Sequence, residues 1–152
     1  MGEEITAGNN VIPESMKNVE HIGIAVKDIE AAEKLFGTLF NTQPYKRETV
    51  ASEFVETSFF QINQTKIELL EATNPDSVIA KFIEKKGEGF HHIAFEVEDI
   101  LAEMERLKKE GFVLLNETPK NGADNKLVCF LHPKGTNGIL IELCQEIKKP
   151  DL

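Results

Sequence analysis

Two histidines and two glutamates recur in phase along this chain of 152 residues. His21 opens His-Ile-Gly-Ile-Ala-Val and His92 opens His-Ile-Ala-Phe-Glu-Val, while Glu68 sits in Lys-Ile-Glu-Leu-Leu and Glu142 in Leu-Ile-Glu-Leu-Cys. The order is His, Glu, His, Glu, with 71 residues separating the histidines and 74 separating the glutamates. Two imidazoles and two carboxylates around one point form a donor set suited to a divalent metal ion of borderline hardness. Taken singly, a histidine opening a strand is ordinarily a surface or hydrogen-bonded residue. A lone glutamate in an apolar strand ordinarily faces solvent. Recurrence in phase singles these four out, because two unrelated accidents would have to repeat at nearly constant offsets.

The elements that must position them follow from the patterning. Val19 to Val26 alternates like a strand, and Asp28 caps a helix running to about Phe40 with Ile29, Ala32, Leu35 and Phe36 on one face. Extended segments follow near Pro44–Val50, Phe54–Ile62 and Thr65–Glu71. A second helix is predicted over Pro75–Lys86, with Val78, Ile79, Phe82 and Ile83 apolar, ending at Gly87-Glu-Gly89. The scheme then repeats: strand Phe90–Val97, cap Asp99, helix to Glu110 and Gly111 at its C-terminus. Further extended segments lie near Phe112–Glu117, Lys126–His132 and Gly138–Gln145. The expected fold is α+β: two βαβββ modules, about 17–72 and 90–147, forming one cupped mixed β-sheet and joined by the linker helix 75–86. Residues 17–147 make a single domain, and residues 1–16 a mobile N-terminal tail.

Strand parity assigns the four residues to one face. His21 shares a face with Gly23 and Ala25, and His92 with Ala94, while the β-branched and aromatic neighbours lie opposite. The small residue two positions after each histidine is expected to leave room for a ligand. Glu68 and Glu142 are likewise flanked by Ile67 and Leu69, and by Ile141 and Leu143, on the other face.

Bulk properties are those of a soluble globular domain, with 41% hydrophobic and 28% charged residues. The formal net charge of −9 argues against nucleic acid or an anionic membrane as partner. No apolar stretch has transmembrane length, and the first residues lack the basic and apolar regions of a secretory signal. Cys129 and Cys144 form neither a metal-type pair nor a disulfide framework, so a reducing cytoplasm is expected. Cys144 reads as a small apolar filler. His132, Lys134, Lys120 and Lys126 read as solvated loop residues.

The βαβββ pair with His and Glu at these positions resembles the vicinal oxygen chelate superfamily, also called the glyoxalase fold. Within it the chain resembles the methylmalonyl-CoA epimerase family. The stretches that carry this are His21-Ile-Gly-Ile-Ala-Val-Lys-Asp28, Thr65-Lys-Ile-Glu-Leu-Leu70, Gly89-Phe-His-His-Ile-Ala94, Phe130-Leu-His-Pro-Lys134 and Gly138-Ile-Leu-Ile-Glu-Leu143. The resemblance covers about Val19 to Cys144 and makes His92, rather than His91, the metal-binding histidine. It implies His21, Glu68, His92 and Glu142 as ligands of one divalent ion, Co²⁺ first, with Zn²⁺, Mn²⁺ and Ni²⁺ as alternatives. It implies interconversion of (R)- and (S)-methylmalonyl-CoA by abstraction of the C2 proton through a metal-stabilised enolate. Glu56, in Phe-Val-Glu-Thr-Ser, matches a glutamate proposed as general base in some family members, and Glu142 is the implied second proton carrier. A homodimer is the family expectation. Two alternatives stay open: a glyoxalase I-type lactoylglutathione lyase sharing the ligand scheme, and a non-catalytic ligand-binding member of the fold.

Overall fold

A computed structural model describes residues 16–148. The expected tail falls almost wholly outside the described residues; its last residue, Met16, is instead the first of strand β1 (Met16–Ala25). The first module continues with α1 (Ile29–Phe40), β2 (Lys46–Val50), β3 (Val55–Ile62) and β4 (Thr65–Ala72). Helix α2 (Val78–Lys86) leads to the second module: β5 (Gly89–Val97), α3 (Ile100–Lys109), β6 (Lys120–Gly122), β7 (Lys126–Leu131) and β8 (Ile141–Glu146).

The helix starts repeat as the sequence implies. Asp28 accepts a hydrogen bond from Ala31 N at 3.1 Å and Asp99 one from Ala102 N at 3.2 Å. The first helical N–H of each is met from the following strand pair, Ile29 N by Glu71 and Ile100 N by Gln145. Each helix is thereby tied to the parallel partner of the strand that feeds it. Helix α2 starts three residues later than predicted, because Ser77 is its N-cap and accepts from Ile79 N at 3.1 Å.

The eight strands of the described residues form one sheet in the order β2-β3-β4-β1-β5-β8-β7-β6. Within the modules β1 runs parallel to β4 and β5 parallel to β8, and the antiparallel pair β1·β5 joins the halves. The four central strands are therefore β4, β1, β5 and β8, and each carries one residue of the His/Glu set. The sheet also curls on itself. Strands β2 and β6 end the order, yet Lys46 of β2 reaches Asp124, beyond β6, at 2.6 Å, and Lys120 of β6 reaches Glu53, beyond β2, at 2.9 Å.

The core divides by face. Under α1 pack Val26, Ile29, Ala32, Phe60 and Leu69, and under α3 pack Val97, Ile100, Met104, Leu107, Cys129, Leu131 and Leu143. The inner face is filled at its ends by smaller clusters. Ala25, Val55 and Leu70 meet Ile79 of α2, while Ala94, Val128 and Cys144 meet Phe130. Cys144 is fully buried there, the apolar filler expected. Leu35 departs from expectation and stands 66% exposed, since the buried stripe of α1 runs through Ile29, Ala32, Phe36 and Phe40. The predicted strand at Phe112–Glu117 is not a regular strand. It contributes one bridge, Leu114 to Leu131, with Leu115 N donating to Phe130 O, and the short β6 takes the rest of that edge of β7.

Candidate metal and proton-transfer site

The inner face of the four central strands holds His21, Glu68, His92 and Glu142, each only 5% exposed. Ladder register explains how four bulky polar side chains fit. Gly23 pairs with both Glu68 and His92, and Ala94 pairs with both His21 and Glu142. Each large donor thus stands beside a residue with little or no side chain. The role of Gly23 differs from the one expected. A Cβ on it would lie 2.2 Å from Cε1 of His92, so the glycine accommodates the imidazole itself rather than a ligand.

Three of the four donors converge tightly. His21 Nε2 and His92 Nε2 are 3.0 Å apart, and Glu142 Oε2 is 3.1 Å from His21 Nε2. One ligand atom from each of His21, His92 and Glu142 lies within 4.8 Å of the others. Glu68 joins through the other nitrogen, with its Oε2 3.0 Å from His21 Nδ1. Glu142 Oε2 is buried and, among the described residues, finds no hydrogen-bond partner of acceptable geometry despite its closeness to His21. An orphaned carboxylate oxygen inside a ring of imidazole nitrogens costs free energy unless a cation or proton meets it. The converging set of His21, His92 and Glu142, two imidazoles and a carboxylate, fits a divalent ion, with the Glu68 carboxylate beside it on the Nδ1 side of His21.

The electrostatics of the four groups are polarised. Burial opposes a charge on His21, but Glu68 and Glu142 outweigh it and hold this imidazole well above its usual range. Burial, with the cationic His21 alongside, pushes His92 well below the usual range. Glu68 is raised by burial, against the pull of His21. Of the two imidazoles whose Nε2 atoms lie 3.0 Å apart, His21 is thus the one its surroundings favour as a cation and His92 the one they favour as neutral.

The four donors line a cavity of about 300 Å³. Its remaining wall is mostly apolar, including Val55, Leu70, Ile79, Leu115, Val128 and Phe130, with Glu53, Asn116, Lys120 and Lys126 as further polar groups. Glu56 is absent from this wall. Alternation along β3 turns Thr57 inward, while Glu56 and Ser58 face α1, where Arg47 bonds Glu56 at 3.1 Å and bridges to Glu33. The general-base assignment of Glu56 is thus not supported by its position. Glu53, passed over in the sequence, sits in the 3-10 turn Ala51–Glu53 and does line the cavity, paired with Lys120 at 2.9 Å. Two more groups were missed: Glu20, 3.2 Å from His21 Nδ1, and His91, whose Nδ1 is 2.9 Å from Nδ1 of His92.

Comparisons with known proteins agree with this geometry. Residues 20–130 match the Glyoxalase/Bleomycin resistance protein/Dioxygenase superfamily. The chain belongs to that superfamily and, within it, to the family of methylmalonyl-CoA epimerases. It is 43% identical to the ethylmalonyl-CoA/methylmalonyl-CoA epimerase of Cereibacter sphaeroides over 84% of this chain and 96% of that protein. It is 38% identical to the human mitochondrial methylmalonyl-CoA epimerase over 86% of this chain and 75% of that one. The solved structure of a Streptomyces coelicolor methylmalonyl-CoA epimerase variant in complex with 2-nitronate-propionyl-CoA superposes with a TM-score of 0.85, at 31% identity, covering 88% of this chain and all of the other.

Proposed function

We propose that this protein is a metal-dependent epimerase interconverting (R)- and (S)-methylmalonyl-CoA. The observation that carries the reading is the buried set His21, Glu68, His92 and Glu142 lining an apolar-walled cavity, in a chain of this family. These four residues are the proposed ligands, and Co²⁺ is the first candidate, with Zn²⁺, Mn²⁺ and Ni²⁺ as alternatives. When bound, a divalent ion supplies Lewis acidity towards the substrate's thioester and carboxylate oxygens.

The protein's own groups supply the rest. The C2 proton lies between a thioester carbonyl and a carboxylate, and its removal leaves an enolate that can be reprotonated on either face. Glu53 is the cavity carboxylate outside the His/Glu set, so the general-base role passes from Glu56 to Glu53 in this reading. Lys120 holds Glu53 at 2.9 Å and so fixes where its carboxylate stands in the cavity. Glu142, whose Oε2 lacks a hydrogen bond, is the second proton carrier. Val55, Leu70, Val128 and Phe130 exclude water and so lower the dielectric in which the proton moves. In the described residues no helix is long and apolar enough to cross a membrane. We further propose a cytoplasmic homodimer, the latter to be checked by analytical ultracentrifugation.

A chiral assay on purified (S)-methylmalonyl-CoA tests the reaction and the base together. Glu53→Gln is expected to lower kcat by about 10²–10⁴-fold, the usual contribution of a general base. Glu56→Gln is expected to leave it near wild type. The opposite pattern would return the base role to Glu56, and no interconversion by metal-loaded wild type would overturn the epimerase reading.

A further inference from the structure

The pairing of β1 with β5 is interrupted beside both ligand histidines. From Val19↔Phe95 the register passes to His21↔Ala94, leaving Glu20 as an extra residue in β1. From Gly23↔His92 it passes to Ile24↔Phe90, leaving His91 as an extra residue in β5. Simple alternation would turn Glu20 and His91 away from the site. A bulge instead re-aims the extra side chain, and such irregularities concentrate near functional centres. Here each one brings a polar side chain to the Nδ1 side of a ligand histidine.

We infer that Glu20 and His91 are positioning residues, which hold Nδ1 of His21 and of His92 so that the two Nε2 atoms face a common centre. The inference rests on the metal-site reading above. An imidazole can ligate through Nε2 only when that nitrogen carries no proton, and the partner of Nδ1 decides where the proton sits. Glu20 Oε1 is 3.2 Å from His21 Nδ1 and, being a carboxylate, accepts the Nδ1 proton. Glu68 also reaches that nitrogen, but Glu68 belongs to the proposed ligand set, which leaves Glu20 as the Nδ1 partner outside that set. Glu20 is itself fixed: it is 6% exposed and takes a hydrogen bond from Lys66 at 3.4 Å, and Lys66 is anchored by Asp124.

The second pair is decided by proton counting. Two imidazole Nδ1 atoms 2.9 Å apart need one donor and one acceptor. If His92 donates, its Nε2 is bare and directed at His21 Nε2, 3.0 Å away. If His91 donates, His92 carries its proton on Nε2 and cannot ligate there. The first arrangement is the one compatible with the cluster, and it makes His91 the acceptor. The His91 ring is held for this by Phe82 of α2, edge to face at 4.9 Å.

Long-range ¹H–¹⁵N spectra of histidine-labelled protein, metal-free and with Zn²⁺, read the tautomers directly, and competition titration gives the Zn²⁺ affinity. In metal-free wild type His92 is expected to bear its proton on Nδ1. Glu20→Gln and His91→Phe are expected to weaken Zn²⁺ binding by about 10–100-fold, as loss of such outer partners does, with Glu20→Asp recovering most of it. In His91→Phe the His92 ring is expected to populate both tautomers. A proton on Nε2 of His92 in wild type, or unchanged Zn²⁺ affinity in both variants, would overturn the inference. Should a variant not fold, the wild-type spectrum alone decides. Wild type that binds no Zn²⁺ or Co²⁺ refutes the metal reading, whereas the His92 tautomer in metal-free protein is a separate result.

Discussion

Gly23 has no space for a side chain. Its Cβ would stand 2.2 Å from Cε1, 2.5 Å from Nδ1 and 2.9 Å from Nε2 of His92, well inside contact distance. Gly23→Ala must therefore displace that ring, whose Nε2 lies 3.0 Å from that of His21 in the donor cluster. Metal affinity is expected to fall by at least about 10-fold, comparable to the loss of an outer-shell partner, with a measurable drop in melting temperature. Isothermal titration with Co²⁺ checks it, and an unchanged affinity would mean that His92 does not ligate through this ring position. At this scale the sequence was informative wherever alternation held. The recurrence in phase of His21, Glu68, His92 and Glu142 pointed to one face because β1, β4, β5 and β8 keep their pleat at those positions. It failed for Glu20 and His91, because a bulge shifts parity and no residue type announces one. It failed for Glu56 because its role was carried over by resemblance, and β3 parity, set by Thr57 and Phe59 inward, opposes it.

Helix α2 joins the modules and also closes one end of the inner face. Ile79, Phe82 and Ile83 pack on Ala25, Val55 and Leu70 of the sheet, and Phe82 orients His91. Its start depends on Ser77, 1% exposed, whose hydroxyl accepts from Ile79 N. Ser77→Ala is expected to cost about 1 kcal/mol, the usual loss for an N-cap, and to leave that N–H unsatisfied. Urea unfolding measures it; a cost indistinguishable from zero would show that α2 is held by packing alone. The helices and most strands were legible from caps and periodicity, since Asp28 and Asp99 stand at matching points of the repeat. The irregular wall was not. Phe54, at φ 53° just after the turn that carries Glu53, adopts a left-handed conformation that its residue type does not advertise, and Asp124, at φ 58°, does so inside the turn that carries Ala123.

The whole molecule is a sheet curled until its outer strands meet through charge. Asp124 takes Lys46 from β2 and Lys66 from β4, and its own N–H is held by Glu48 at 2.9 Å. Lys66 passes the connection to Glu20 beneath His21, so the closure of the cup and the orientation of the site share one network. Burial raises the cost of the Asp124 charge, but hydrogen bonds from Lys46 and Lys66 hold its carboxyl below the usual carboxylate range. Asp124→Asn is expected to destabilise by about 1.5–3 kcal/mol, the range for hydrogen bonds to charged groups, and to weaken metal binding through Lys66 and Glu20. The exposed pair Lys109–Glu105 serves as control and is expected to contribute little. Equal effects of the two in chemical denaturation would show that Asp124 is an ordinary surface charge. This long-range closure could not be read from the chain, because the residues concerned lie up to 78 positions apart in sequence.

Deuterium uptake at C2 of methylmalonyl-CoA in heavy water tests the central claim most directly. It is measured on protein as purified, after stripping with a chelator, and after Co²⁺ is restored. Exchange lost on stripping and regained with Co²⁺ is the expected result, since the four-donor site then carries the reaction. Exchange that persists undiminished without metal, or its absence from fully loaded protein, would contradict it.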